Sequence, residues 1–375
     1  MSVEIKQVTT RRDLKRFVSF PNRLYKGNKY YVPSLEFDEV DTLDKDKNPA
    51  FDFCESAYFL ALRKGKIVGR IAAIINKVSN QKEGHKRVRF GFVDFIDDDE
   101  VVDKLFATVE NWGTERGMNQ INGPLGFTDL DPEGMLVDGF DKMGTMVAIY
   151  NHSYYPRQLE RLGFVKDADW VEYLITIPEQ VPEKHRRISE LVAKKFGLRT
   201  VQYTNKKKLA RDYGEKLFKL VNESYDVLYG YTPLTERQIK HYVDMYIPML
   251  RLNDLVLVVD TNDELVAFGV GMPSLARALQ RSGGKLFPFG FIHLLKALKG
   301  RNDLVELLLF AVKPEYQNKG VNALVFRDII PAFNANGYRY AESNPELELN
   351  IKVQNQWGFL EHKLQKRRRV FVKNI

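Results

Sequence analysis

The order of hydrophobic patterns is the same in the two halves of the chain, and this repetition limits the folds available to it. In the first half, AYFLALRKGKIVGRIAAII predicts two strands joined at Lys64-Gly65-Lys66, VRFGFVDFI a third strand, and DDDEVVDKLFATVENWGTERG a helix. In the second half, DLVLVVDTNDELVAFGVGM, DLVELLLFAV and GVNALVFRDIIPAFNANG predict the same order, and YRYAES predicts a closing strand. Strands and helices that alternate with hairpins predict an α/β fold of the mixed α+β kind.

Length and composition indicate a folded protein of two domains. The 375 residues exceed one ordinary compact core, and 44% hydrophobic with 28% charged residues is a typical globular balance. Pro178 and Pro182 mark a boundary, so we predict one domain over residues 1–180 and another over residues 181–375. The single cysteine, Cys54, excludes an internal disulfide.

The charge balance favours anionic partners. The formal net charge is +8, which suits a cofactor with several phosphates as well as it suits nucleic acid. The basic cluster Arg367 to Arg369 is read either as an RNA contact or, by preference, as charge that protects an edge strand, so we do not expect a nucleic-acid partner. The sequence has no run of about 18 apolar residues and no secretory signal, so we expect no membrane partner and a cytoplasmic location.

The segment LFAVKPEYQNKGVNALVFRDI joins a strand to a helix through a turn that contains Gln317 and Gly320. Several backbone N–H groups at a helix N-terminus lack partners, and the helix dipole there favours negative charge. Lys313 and Lys319 flank the turn, and a glycine lets a phosphate approach the backbone closely. We therefore predict an anion site at this turn.

This turn resembles the pyrophosphate loop of the GNAT acyltransferases, Q/R-x-x-G-x-G/A. Gln317 and Gly320 match the motif, whereas Asn322 stands where the family prefers glycine or alanine and could crowd a diphosphate or donate to it. The resemblance implies acetyl-CoA or another acyl-CoA as cofactor. The residues that it assigns to cofactor binding are Phe310, Val312, Gln317, Asn318, Lys319, Gly320, Val321, Asn322 and Ala323.

The repeated plan makes the whole chain resemble a tandem pair of GNAT-like domains. At the position equivalent to the phosphate loop, the first half reads DFIDDDEVVDK. These carboxylates suit the first turn of a helix, but they repel a diphosphate. We therefore predict that residues 1–180 form a degenerate GNAT-like domain with a structural or acceptor-binding role, and that only residues 181–375 bind the cofactor.

Glu306 is the candidate general base, because an amine must be neutral when it attacks an acyl group. It interrupts an apolar strand eleven residues before Gln317, a spacing similar to that of the base glutamate in histone-acetylating GNAT members. The alternative is a strand glutamate that faces solvent or pairs with a lysine. Many members also carry a general-acid tyrosine in the segment equivalent to residues 348–358, which here contains Trp357 and no tyrosine. The thiolate would then leave without a protein acid, or Tyr338 or Tyr340 would replace the missing group.

Tyr150, Asn151, Tyr154 and Tyr155 are the candidate substrate-binding residues, since amphipathic side chains often line pockets. The alternative is half-buried packing. The tract FTDLDPEGMLVDGFD imitates the start of a calcium loop but has Phe140 at the twelfth position, and the histidines show no ligand spacing, so we predict no metal. Its carboxylates could attract a cationic amine or form a solvated loop.

The leading hypothesis is an acyl-CoA-dependent N-acyltransferase that transfers acetyl to a primary amine of a small molecule or peptide, held in a cleft between the halves. Two alternatives stay open. Asn322 and the missing tyrosine favour a catalytically inactive tandem scaffold, and the basic C-terminus favours an aminoacyl-tRNA-dependent transferase. The sequence specifies neither the acceptor, the acyl length nor the oligomeric state.

Overall fold

A computed structural model describes residues 2–375, and the chain divides into two compact units. The first unit runs to Val171 and also contains Leu275–Leu294 and Gln365–Ile375, while the second consists of Glu172–Ser274 and Leu295–Leu364. Two late segments thus belong to the first unit, which the linear sequence does not indicate. The predicted boundary near residue 180 separates the two repeated domains and is a different division from that of the compact units. It stays a prediction.

The strands, in chain order, are β1 (Glu4–Gln7), β2 (Cys54–Arg63), β3 (Lys66–Asn76), β4 (Arg87–Phe95), β5 (Gln120–Gly123), β6 (Met135–Asp138), β7 (Val165–Thr176), β8 (Arg199–Val201), β9 (Leu255–Val259), β10 (Leu265–Pro273), β11 (Leu304–Val312), β12 (Tyr340–Glu342), β13 (Glu346–Leu347) and β14 (His362–Asn374). The α-helices are α1 (Arg11–Leu24), α2 (Glu36–Thr42), α3 (Lys77–Glu83), α4 (Asp99–Thr114), α5 (Tyr154–Arg161), α6 (Glu183–Phe196), α7 (Lys206–Leu209), α8 (Glu215–Tyr225), α9 (Glu236–Tyr246), α10 (Ala276–Ser282), α11 (Gly290–Lys299), α12 (Asn322–Asn336) and α13 (Ile351–Gln354).

The first unit is built on a mostly antiparallel sheet in the order β1-β2-β3-β4-β5-β14, with β6 paired to β14. Only β4 and β5 run parallel, over three residue pairs that start at Arg87 and Gln120. The helix α4 has buried residues at helical spacing, Val101, Leu105 and Val109, and this face packs on the sheet to form the main core.

The second unit has the same design. The strands β8, β9, β10 and β11 pair antiparallel, and β12 pairs parallel with β11. The apolar face of α12 (Leu324, Val325, Ile329) and part of α6 (Val192) cover this sheet. α12 ends at Asn336, and the left-handed backbone of Gly337 (φ +84°) caps it.

The two units share the same order of elements, and each has a register shift at the corresponding place in its sheet. In the first unit the register between β3 and β4 shifts after Arg70, and in the second the register between β10 and β11 shifts after Val270. In both units the third strand then pairs parallel with the strand after the helix over three residues. The predicted repeat of hairpin, strand, helix and strand is therefore confirmed, as is the mixed α/β fold class.

Some elements differ from the sequence prediction. The 14-residue helix α6 was not predicted. The arginines of β14 also have another role than edge protection, because Arg367 and Arg369 pair with the buried Asp169. Across residues 2–375, no helix combines the length and the apolarity that a bilayer crossing requires.

Candidate active site

The turn between β11 and α12 is built from a short 3-10 turn and two left-handed residues. Pro314–Tyr316 form the 3-10 turn, and Asn318 (φ +60°) and Gly320 (φ +81°) follow it in left-handed conformations. Asparagine and glycine are the residue types that adopt this conformation most readily. The side-chain amide of Gln317 donates to the carbonyl of Val312 at 3.1 Å and ties the turn to the end of β11.

Four backbone amides of this turn and of the first residue of α12 lack an acceptor among the described residues. The N–H groups of Asn318, Gly320, Val321 and Asn322 have no hydrogen-bond acceptor within residues 2–375. The next amide, that of Ala323, donates to Gly320 O at 3.0 Å, and no side chain caps the helix. The predicted set of unpaired donors at the positive end of a helix dipole is thus present.

Gly320 also lies where the turn meets the helix α6. A Cβ atom at this position would be 3.0 Å from Cγ2 of Ile188 and 3.4 Å from Cγ2 of Val192. The left-handed backbone and the close contact each favour glycine over any other residue. The glycine of the motif is therefore explained by the conformation of the turn and by its packing on α6.

The two lysines that flank the turn differ in their surroundings. The Lys313 ammonium lies 3.1 Å from the carboxylate of Glu315, and this pairing raises the pKa of Lys313. The Lys319 ammonium lies 5.6 Å from the ring centroid of Phe196 and 5.8 Å from that of Tyr316. The charge of Lys319 is therefore held by aromatic rings, without a carboxylate, beside the unpaired amides.

The end of β11 presents further donors on the edge that faces away from β10. The N–H of Lys313 donates to Val266 O at 2.8 Å, so the antiparallel alternation turns the backbone groups of Phe310 and Val312 to the opposite edge. The strand β12 pairs with that edge only as far as Glu306. The edge of β11 beyond Glu306 therefore has no parallel neighbour.

Side chains satisfy the carbonyls on this edge but not the amides. The Tyr225 hydroxyl donates to Phe310 O and the Ser224 hydroxyl to Val312 O, each at 3.0 Å. The N–H groups of Phe310 and Val312 have no acceptor in the described chain, residues 2–375. Two edge donors thus lead along β11 to the donors of the turn. A pocket of about 480 Å³ lies beside Lys313 and Pro314, between these two groups of donors in the sequence. That pocket is lined by Asn222, Glu223, Asp226, Lys313, Pro314 and Glu315.

Glu306 lies at the point where β11 and β12 separate. It is 2% exposed and is in register with Met272 on β10 and with Glu342 on β12, which is also buried. In-register residues of neighbouring strands point to the same face of a sheet, so the two carboxyl groups are neighbours. The solvent-facing alternative for Glu306 is therefore excluded by its burial.

The residues considered as a general acid occupy different surroundings. The Tyr338 hydroxyl donates to Asp254 Oδ2 at 2.7 Å, and burial raises its pKa well above the ordinary value. Tyr340 lies on β12 in the parallel pair with β11. Trp357 lies in a 3-10 turn and its indole N–H donates to Glu346 Oε1 at 2.8 Å.

Glu346 is a candidate that the sequence analysis missed. Burial raises the pKa of its carboxyl group to about 8, while the hydrogen bond from Trp357 acts in the opposite direction. Its Oε2 atom is buried without a hydrogen-bond partner in residues 2–375. Burial raises the pKa of Tyr225, whose hydroxyl donates to Phe310 O, to about 12, and the charge of Glu346 acts in the same direction. The sequence signal, a glutamate between Pro345 and Leu347, does not reveal that its Oε2 atom is buried.

The equivalent helix N-terminus of the first unit is filled by its own side chains. Asp98 caps α4 by accepting the Val101 N–H at 3.1 Å, and Arg63 makes two hydrogen bonds to Asp98, at 2.7 and 2.8 Å. Glu100 accepts the N–H of Val3 at 2.8 Å and also pairs with Arg63. Carboxylates therefore occupy the position at which the second unit leaves its amides open.

The predicted substrate-binding residues lie together in the first unit, where they make packing contacts. The side chain of Asn151 bonds both backbone groups of Leu136, and the Tyr154 hydroxyl donates to Phe95 O at 2.6 Å. Tyr155 is fully buried and its hydroxyl accepts from Phe95 N, while Tyr150 contributes to a small aromatic cluster. Their role in substrate binding stays a prediction.

The acidic tract forms a loop that is held by its own carboxylate. Asp131 accepts the amides of Phe127 at 2.8 Å and Thr128 at 3.0 Å, and burial raises its pKa to about 6. No group of three or more histidine, cysteine or carboxylate side chains from Ser2 to Ile375 could hold a metal ion.

Comparison with solved structures identifies the architecture. A tandem GNAT protein from the clavulanic acid biosynthesis pathway aligns with 100% of this chain and 98% of its own, with a TM-score of 0.55 and 11% identity. The chain has the GNAT fold. A GCN5-related N-acetyltransferase from Sphaerobacter thermophilus aligns with 99% of the chain and 95% of its own, with a TM-score of 0.53 and 11% identity. The predicted resemblance to a tandem GNAT protein is confirmed at the level of the fold.

Two proteins are similar to this chain in sequence over most of its length. No family model matches the chain. Protein YghO of Escherichia coli (strain K12) is 26% identical over 377 residues, covering 99% of this chain and 95% of the relative. The bacterial ceramide synthase of Caulobacter vibrioides is 28% identical over 313 residues, covering 83% of this chain and 80% of the relative.

Proposed function

We propose that this GNAT-fold protein is an acyl-CoA-dependent N-acyltransferase whose cofactor binds in the second unit. The observation that carries the proposal is the row of open amides at Asn318, Gly320, Val321 and Asn322. Unpaired donors at the N-terminus of a 15-residue helix suit the diphosphate of coenzyme A. Lys319 supplies a nearby positive charge, and the amides of Phe310 and Val312 suit the amide groups of an extended pantetheine arm.

Glu306 of β11 and Glu346 of β13 then divide the proton transfers between them. Bound acyl-CoA supplies a thioester, whose C–S bond breaks as the C–N bond of the product amide forms. Glu306 is proposed to take the proton that the attacking amine must lose. Glu346 is proposed to give a proton to the departing sulfur, because burial raises its pKa to about 8 and keeps it protonated near neutral pH.

The proposed acceptor is the primary amine of a long-chain lipid amine. The similarity to a bacterial ceramide synthase supports this choice, since a ceramide is an N-acylated long-chain amine. An acetyl group is the smallest donor consistent with the fold, and a fatty acyl group is the donor that the ceramide comparison favours. A cytoplasmic location belongs to the same proposal.

Binding and turnover test the proposal separately. We expect calorimetric titration with acetyl-CoA and with a long-chain acyl-CoA to give saturable binding to one site per chain, and we expect release of free thiol when a long-chain amine is added. Glu306→Gln should lower turnover by about 10²-fold or more and leave cofactor affinity unchanged. Absence of binding to both acyl-CoA compounds would overturn the enzyme proposal.

Two further outcomes address the alternative functions. Binding of acyl-CoA without thiol release for long-chain, small-molecule and peptide amines would favour the inactive scaffold, which Asn322 also favours. Transfer from a charged tRNA in the absence of acyl-CoA would favour the aminoacyl-tRNA-dependent transferase.

A further inference from the structure

The segment between β10 and β11 has an unusual surface composition. Residues 275–302 contain six lysines and arginines and no aspartate or glutamate. None of these six cations forms an ion pair within residues 2–375. The cations are Arg277, Arg281, Lys285, Lys296, Lys299 and Arg301. The segment therefore carries a high density of positive charge that no carboxylate of the segment balances.

The same segment exposes large apolar side chains. Phe287 is 79% exposed and Phe289 is 69% exposed, and three apolar residues of α11 are also exposed. Those three are Phe291, Ile292 and Leu295. Single exposed apolar residues are normal on a protein surface. Five of them within nine residues form an apolar patch, which indicates a surface that binds a partner.

The backbone of this segment is anchored at its beginning. The side chain of Gln280 donates to the carbonyls of Lys29 and Tyr31, each at 2.9 Å. The Glu36 amide donates to Gly284 O at 2.9 Å. The exposed rings follow directly after these anchors, so the protein surface presents them on a fixed base.

The helix α11 has two distinct faces. Gly290 and Leu294 are buried, while Phe291, Ile292 and Leu295 lie on the exposed side and the last turn carries Lys296 and Lys299. A short amphipathic helix with apolar rings on one side and lysines beside them has the composition of an element that lies in a membrane interface. It does not have the length to cross the bilayer.

We propose that residues 285–299 dock the protein on an anionic lipid bilayer, with Phe287, Phe289 and Phe291 inserted among the acyl chains and the lysines at the headgroups. Charge complementarity favours an anionic bilayer as the partner. Each unpaired cation of the segment is attracted to a negative lipid surface, and the segment has no carboxylate that such a surface would repel. This inference replaces the expectation of no membrane partner, and it does not depend on the proposed activity.

Vesicle flotation tests the proposal with the full chain. Wild-type protein is expected to float with vesicles of phosphatidylcholine mixed with phosphatidylglycerol and to float much less with phosphatidylcholine alone or at high salt. The combined variant Phe287→Ser, Phe289→Ser and Phe291→Ser should lower the partition coefficient by about tenfold or more, since each ring loses its apolar burial. Leu349→Ser is the matched control, because Leu349 is 89% exposed and lies outside the segment, and it should bind as wild type does.

A second pair of variants separates charge from apolar insertion. Lys285→Glu combined with Lys296→Glu should lower binding to the mixed vesicles by about tenfold and reduce its dependence on salt. Sedimentation velocity without lipid tests the competing occupant, a second copy of the chain. The proposal would be overturned if wild-type protein did not bind anionic vesicles. It would also be overturned if wild-type protein were a dimer that the phenylalanine substitutions dissociate. Circular dichroism verifies that each variant is folded.

Discussion

At the scale of single residues, Gly320 is the position where the left-handed conformation of the turn and the proposed cofactor site coincide. Its φ of +81° and its contact with Ile188 both disfavour a side chain. We expect Gly320→Ala to lower the free energy of unfolding by about 1–2 kcal/mol, because an L-residue is strained in the left-handed region. It should also raise the Kd for acyl-CoA about tenfold, which calorimetry measures, because the amides around it would move.

Gly163→Ala is the matched control for this change. Gly163 has a φ of +84°, but no atom lies within 4 Å of an added Cβ, and it is in the first unit. Its variant should lose similar stability and bind acyl-CoA with unchanged affinity. Equal affinity losses in both variants would show that the effect on binding is general destabilisation and not a property of the turn.

The raised pKa of Glu346 leads us to predict that the stability of the protein depends on pH. The pKa of its carboxyl group is raised from the ordinary 4.5 to about 8, so between these values the folded chain holds a proton that the unfolded chain has released. The free energy of unfolding should therefore fall as the pH rises through this window, by at most about 1.4 kcal/mol per pH unit from this group.

Glu346→Gln should flatten this dependence, because an amide does not titrate and its oxygen can still accept the hydrogen bond from Trp357. Urea unfolding of both proteins at several pH values between about 5 and 8 checks this expectation. If the two stability curves stay parallel throughout this range, the carboxyl group does not hold its proton as proposed.

At the scale of secondary-structure elements, α4 and α12 show how one helix N-terminus is closed and the other left open. Asp98 caps α4, so Asp98→Ala should lower the free energy of unfolding by about 1 kcal/mol. Asp98→Asn keeps a capping oxygen and should cost less. Calorimetric affinity for acyl-CoA should be unchanged in both variants, and a marked loss in either would place cofactor contacts in the first unit.

The elements that the sequence predicts well are those whose own pattern is strong. The strands β2, β3, β4 and β11 and the helices α4 and α12 have clear periodicity and marked ends, so their positions follow from local chemistry. The turn at Gly320 follows from the same reasoning, since a strand that enters a helix through glycine leaves amides unpaired. The helix α6 was missed because proline-rich boundary signals precede it.

Features that depend on contacts between distant parts of the chain could not be predicted from the sequence. The surroundings of Glu346 include Trp357, which donates to it from eleven residues further along the chain, and the separation of β11 from β12 after Glu306 depends on where β12 ends. The hydroxyl groups of Tyr154 and Tyr155 bond to the backbone of Phe95, a contact between distant parts of the first unit that the sequence does not show. Burial and pairing of this kind result from tertiary contacts, which local patterns do not encode.

At the scale of the whole molecule, the last eleven residues complete the first unit, more than 200 residues away in sequence from most of it. Phe371 of β14 pairs with Gly123 of β5 and is 1% exposed in the main core of that unit. We expect Phe371→Ala to lower the free energy of unfolding of the first unit by about 3–5 kcal/mol, as is typical of a buried phenylalanine. Denaturant unfolding followed by circular dichroism measures this loss.

Because the open amides of α12 belong to the second unit, the same variant separates architecture from cofactor binding. Below its unfolding transition, Phe371→Ala should bind acyl-CoA with the affinity of the wild type, while Gly320→Ala should show the reverse pattern of a small stability loss and a large affinity loss. Leu349→Ala, at an exposed position, should change neither quantity. A first unit that keeps its full stability in Phe371→Ala would mean that the C-terminal strand is not part of its core, and the division of the chain into these two units would have to be drawn differently.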